Sequence, residues 1–161
     1  MKIFGYGYQN ITEDDIATVT AVLRSDYLTQ GPKHEEFESA ICRYTGSKYC
    51  VAVSSATAAL HIAMLAAGVK NGDEVITTPN TFVASANCAR YVGADVAFVD
   101  IDSTTANIDV NKISVNDKTK VIIPVHFAGQ SCDMEAIQKL AGKSGAVVIE
   151  DASPVVIVFT G

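Results

Sequence analysis

At 161 residues the chain is long enough for one domain with a real core and too short for two comfortable ones. With 48% hydrophobic and 19% charged residues it does not read as a disordered sequence. A net charge of −6 leaves no basic face for a phosphate backbone, which excludes nucleic acid as a partner.

The opening, MKIFGYGYQN, lacks the apolar core of a signal peptide. The four cysteines, Cys42, Cys50, Cys88 and Cys132, are scattered with no CxxC pair. Both features point to reduced, mostly buried thiols in a cytoplasmic protein rather than to a disulfide framework or a metal site. Residues 1–48 read as an N-terminal helical segment. Thr12 suits an N-cap, the acids at 13, 14 and 15 complement a helix dipole, and Ile16, Val19, Val22 and Leu23 share one face. LTQGP breaks that pattern, and Pro32 suits the first turn of a second helix ending near Gly46.

From Tyr49 the rhythm changes to short apolar strands alternating with helices. YCVAVS (49–54), EVITT (74–78), DVAFVD (95–100), KVIIPV (120–125) and AVVIE (146–150) are strand candidates. Helices fit at 56–67, 81–92 and 134–144, with Gly68 and Gly93 as stops, Thr81 as a cap for the middle one and Asp133 for the last. The longest apolar helix candidate, 56–69, contains His61 and is too short to span a bilayer, so no membrane is involved. Near-continuous apolar strands separated by crossovers predict a three-layer α/β fold with a mostly parallel sheet. Such sheets bind ligands at the carboxyl ends of their strands.

Three strand ends carry candidate chemistry. SSATAALHIAM, from Ser54, lets small residues and the Thr57 hydroxyl approach an anion at a helix N-terminus, or else Ser54 or Ser55 simply caps the helix. It is not a Walker loop. Phe82 is placed either to stack on a planar ligand or to join the core. Glu150 and Asp151 are either partners for a protonated ring nitrogen or solvated strand-end acids, and His126 is either catalytic or a satisfied structural residue. An anion cradle, an aromatic ring and a carboxylate at neighbouring strand ends would suit pyridoxal 5′-phosphate. The absence of GxGxxG argues against a Rossmann-type nucleotide binder.

VAVSSATAALHIAMLAAGVKNGDEVITTPNTFVASANCARYVGADVAFVDID, then TKVIIPVHFAGQSCDMEAIQKLA and VVIEDAS, resembles the DegT/DnrJ/EryC1/StrS family. The likeness runs from Met1 to about Ser153. It implies a fold-type I (aspartate aminotransferase-like) large domain, here 49–153, and transfer of an amino group from an amino acid such as glutamate to a keto-sugar nucleotide. The opening segment is most similar to the branch that makes the 4-amino sugar precursor of pseudaminic acid from a UDP-4-keto-6-deoxy-N-acetylhexosamine. By that resemblance Ala56 and Thr57 hold the cofactor phosphate, Phe82 stacks on the pyridine ring and Asp151 pairs with its nitrogen. Tyr6 and Thr29 fall in segments that border the sugar-nucleotide site, and the subunits of such enzymes form homodimers.

Two departures accompany the match. Pro154 stands where the family has His or Gln, and residues 154–161 form a tail unlike the family. All nine lysines (2, 33, 48, 70, 112, 118, 120, 139 and 143) precede Asp151, and none falls in a Phe-Ser-Phe-x-x-x-Lys context. The expectation is therefore a truncated large domain without its Schiff-base lysine, inactive alone. The alternative is a non-catalytic binding or assembly module that keeps the aminotransferase fold.

Overall fold

The computed structural model describes residues 9–153, and the chain divides into two compact units, Met1–Ala52 and Val53–Gly161. In the first unit lie helices α1 (Glu13–Leu23) and α2 (Pro32–Thr45). Thr12 caps α1 as expected. Its hydroxyl accepts from the Asp15 N–H while the Asp15 carboxylate takes the Thr12 N–H at 2.8 Å, a reciprocal capping box. Those donors favour the ionised acid, so the backbone and hydroxyl of Thr12 hold the Asp15 carboxyl below its ordinary range. α2 starts on Pro32 and ends at Gly46, whose φ of 74° is the left-handed conformation a glycine C-cap supplies.

The second unit holds α3 (Ala56–Ala66), β1 (Glu74–Thr77), α4 (Ala84–Tyr91), β2 (Asp95–Phe98), β3 (Thr119–Ile122), α5 (Met134–Ser144) and β4 (Val147–Val148). The four strands form one sheet in the order β2-β1-β3-β4, and every pairing is parallel. The predicted strand at 49–54 does not form. Its composition suits a strand, but a strand exists only where a neighbour accepts its hydrogen bonds, and among the described residues none pairs with it.

The strands read as unbroken apolar runs because both sheet faces are covered. Successive side chains point to opposite faces. Val75, Val121 and Ile123 accordingly join Leu60 and Met64 of α3 and Cys88 and Ala89 of α4 in one core. Ile76 and Ile122 join Ile137 and Ala141 of α5 in the other. These are the three expected layers. Each fully buried aliphatic side chain contributes about 1.5–3 kcal/mol.

The connections decide where a ligand can sit. The β1-α4-β2 crossover runs over one face and moves outward from β1. β3 lies on the other side of β1, and the β3-α5-β4 crossover continues that way over the opposite face. The winding therefore reverses between β1 and β3, and the loops leaving their carboxyl ends part there. Such a switch point opens a crevice at the strand ends.

Candidate functional site

A cleft of about 330 Å³ occupies that crevice. The start of α3 contributes Ala56 and Thr57, the segment after β1 contributes Asn80, Thr81 and Phe82, the segment after β3 contributes Val125 and Phe127, and the last strand end contributes Asp151 and Ser153. Ala56, Thr57, Phe82 and Asp151, singled out in the sequence, thus line one cavity.

Each wall has a local cause. Ser55 caps α3: its hydroxyl accepts from the Ala58 N–H at 3.2 Å and its carbonyl from the Ala59 N–H at 3.0 Å. The first helical N–H groups lack intrahelical acceptors, and those of Ala56 and Thr57 have no partner among the described residues. Capping and anion binding are therefore compatible here, since Ser55 serves the third and fourth donors and leaves the first two open. Phe82 is 73% exposed, which removes the core alternative for it. The predicted helix start at 81 is displaced: α4 begins at Ala84 after Val83, without a side-chain cap. Thr81 is not that cap; its hydroxyl meets the Ser85 hydroxyl at 2.7 Å.

The adjacent acids separate, as strand alternation requires. Asp151 is 5% exposed and lines the cleft. Its Oδ2 accepts from Ser85 Oγ at 2.6 Å, and its Oδ1 from Ser153 Oγ at 2.5 Å and Ser153 N at 3.1 Å. A hydroxyl thus donates to each carboxylate oxygen, and the Ser153 N–H adds a further donor on Oδ1. Glu150 is instead 2.8 Å from His126 Nε2. The Cys132 N–H donates to His126 Nδ1 at 3.0 Å, which places the ring proton on Nε2, toward Glu150. With 0% exposure and both nitrogens engaged, His126 is a satisfied structural residue.

Sequence reading missed Asn107. It is 3% exposed; its Oδ1 accepts from the Phe127 N–H at 3.0 Å and its Nδ2 donates to the carbonyls of Gln130 and Ser131, both at 3.0 Å. These bonds hold a turn in which Ala128 has a φ of 51°, the left-handed region that costs a non-glycine residue. The turn carries Phe127 into the cleft wall. No motif marks Asn107, because its partners lie 20 to 24 residues away. Behind the walls, burial pushes the Cys88 and Cys132 thiols up to about 11.

Thr29 is an exposed residue of the first unit, in the bend between α1 and α2. That unit has a cleft of its own, about 490 Å³, walled by Tyr27, Leu28, Gln30 and Phe37, and Thr29 is not among its lining residues. Tyr6 and Pro154 lie outside the described residues.

A parallel α/β sheet with a crevice at its switch point gives this chain the fold of solved pyridoxal-phosphate aminotransferases, which it matches over most of its own length. The chain belongs to the DegT/DnrJ/EryC1/StrS aminotransferase family, which it matches over residues 9–156. It is 46% identical over 150 residues to the spore coat polysaccharide biosynthesis protein SpsC of Bacillus subtilis, a match covering 92% of this chain and 39% of SpsC. Among solved structures it resembles ntda from Bacillus subtilis with bound cofactor PMP (TM-score 0.86, 38% identity, 91% of this chain and 35% of that one). It also resembles Helicobacter pylori PseC, an aminotransferase of pseudaminic acid biosynthesis (TM-score 0.87, 34% identity, 96% and 42%). The chain thus spans about two fifths of the length of these relatives.

Proposed function

We propose that this chain forms the cofactor-facing part of a pyridoxal-phosphate-dependent transaminase that carries an amino group from an amino acid, glutamate in our reading, to the 4-keto group of a UDP-linked deoxy sugar. The observation that carries the reading is Asp151, a buried carboxylate that nevertheless lines an open cleft. The donor set fits pyridoxal phosphate. Two open N–H groups and the Thr57 hydroxyl suit a phosphate, the exposed Phe82 ring suits a planar pyridine, and an acceptor-only carboxylate suits a protonated ring nitrogen. Bound there, the cofactor would supply the electron sink for amino transfer.

In this reading the start of α3 anchors the phosphate, Phe82 covers one ring face and shields it from water, and Asp151 keeps the proton on the ring nitrogen. No lysine of residues 53–153 lines the cleft. In this reading the 161 residues alone hold the cofactor without a covalent link and do not turn over. The similarity to PseC and the opening segment support a pseudaminic-acid precursor as the sugar. Working as a homodimer in the cytoplasm completes the proposal; the many half-exposed apolar side chains of the first unit, Leu23, Tyr27 and Phe37 among them, support self-association. Light scattering that finds only monomer across a wide concentration range would count against that part.

Thr57→Val keeps the shape and removes the hydroxyl. It should weaken pyridoxal phosphate by about 1.5–3 kcal/mol in calorimetry; an unchanged affinity removes Thr57 from the site. Borohydride added to the chain with pyridoxal phosphate should leave the cofactor separable from protein. Amination of a UDP-4-keto sugar at enzymatic rates by these 161 residues would end the non-covalent reading.

A further inference from the structure

Ser85 is absent from the contacts proposed above, yet it is fully buried in the first turn of α4 and its hydroxyl meets three oxygens. They are Asp151 Oδ2 at 2.6 Å, Thr81 Oγ1 at 2.7 Å and the Phe82 carbonyl at 3.2 Å. A hydroxyl has one proton to give. The carboxylate is the nearer acceptor and the charged one, so it outcompetes the carbonyl of the helix's own first turn. With the Ser85 proton spent on Asp151, the hydrogen between Thr81 and Ser85 must come from Thr81. The order of donation is therefore Thr81 to Ser85 to Asp151.

The opposite carboxylate oxygen is held by Ser153. Without Ser85 the Asp151 carboxylate would keep only its bonds from Ser153, both on Oδ1, and its plane would be free to turn about them. Ser85 also sits three residues beyond Phe82, so one side chain ties the segment bearing the aromatic to an acid 66 residues away.

We propose that Ser85, backed by Thr81, is a positioning residue that sets the plane of the Asp151 carboxylate toward the ring nitrogen of the cofactor. The inference rests on the reading of Asp151 as that nitrogen's partner.

The test compares, by calorimetry on the whole chain, the affinity for pyridoxal phosphate with that for an analogue in which CH replaces the ring nitrogen. Phosphate and stacking contacts are common to both ligands, so the ratio reads the Asp151 contact alone. The unaltered chain should prefer pyridoxal phosphate by about tenfold or more. Ser85→Ala should lose most of that preference while binding the analogue as before, and Ser85→Thr, which keeps the hydroxyl, should retain it. A merely structural role would weaken both ligands together and leave the ratio intact, which overturns the proposal. A full preference in Ser85→Ala alongside a lost one in Asp151→Asn overturns the role of Ser85 and leaves that of Asp151 standing. No preference in the unaltered chain overturns both. Should circular dichroism find Ser85→Ala unfolded, Thr81→Val decides by the same ratio: a drop supports the relay, and an unchanged value sinks it.

Discussion

Helices α1 and α4 show what a cap does and what it does not do. α1 has a complete capping box and an acidic first turn, yet none of its residues is buried, and Ile16, Val19 and Leu23 of its predicted apolar face are 49%, 59% and 65% exposed. α4 has no side-chain cap and buries Ala84, Ser85, Cys88 and Ala89. Caps and periodicity determine where a helix begins and which side is apolar. Whether that side finds something to bury against depends on another element, and in the second unit the parallel sheet supplies it on both faces.

Substitutions across the two units should expose this difference, beginning with the sheet. Ile122→Ala empties a fully buried position between β3 and α5. It should cost about 2–5 kcal/mol in chemical denaturation of the second unit; a cost under about 1 kcal/mol would mean that the α5 face is not a packed core. The thiols come next. Burial raises Cys88 and Cys132 from 9.0 to about 11, and the thiolate is the form that reacts. At pH 8 their labelling should run about a hundredfold slower than that of an ordinary thiol, since two units separate the values. As pH rises their rates should keep climbing toward about 11 instead of levelling near 9. Mass spectrometry of the labelled peptides, with a free cysteine-containing peptide as the contrast, reads this directly.

Asn107→Ala should cost about 1–3 kcal/mol, because it strands a buried N–H and two carbonyls rather than removing apolar area. The same change should weaken pyridoxal phosphate if the turn carrying Phe127 belongs to the site, and calorimetry on the folded variant checks it. At the small end, Val19→Ala in α1 should stay within about 0.5 kcal/mol, as surface substitutions do. A loss comparable to that at Ile122 would show that α1 does bury its face in solution, and would remove the contrast between the units.

The elements were legible where the signal was local. α1, α2, α3 and α5 start on the residues expected, Thr12, Ser55 and Asp133 act as caps, and β1 and β3 fall within a residue or two of their predicted starts. The misses share a different cause. The strand at 49–54 failed for want of a neighbour, and Thr81 gave its hydroxyl to Ser85 instead of capping α4. The site was half legible. Ala56, Thr57, Phe82 and Asp151 stood out because small, aromatic and acidic residues at strand ends are chemically conspicuous, and all four line the cleft. Ser85 and Asn107 did not, since a serine in a helix and an asparagine in a loop are ordinary until their distant partners are known.

Length, patterning and caps by themselves determined an α/β chain with a parallel, doubly covered sheet, because those signals act over a turn of helix or a few residues of strand. Tertiary structure alone decided that Asp151 faces the cleft while Glu150 turns to His126, that Phe82 stays open, and that the crevice lies between β1 and β3. The physical reason is that each of these depends on which strands become neighbours. Strand order is set by contacts between segments tens of residues apart, and no local pattern encodes it.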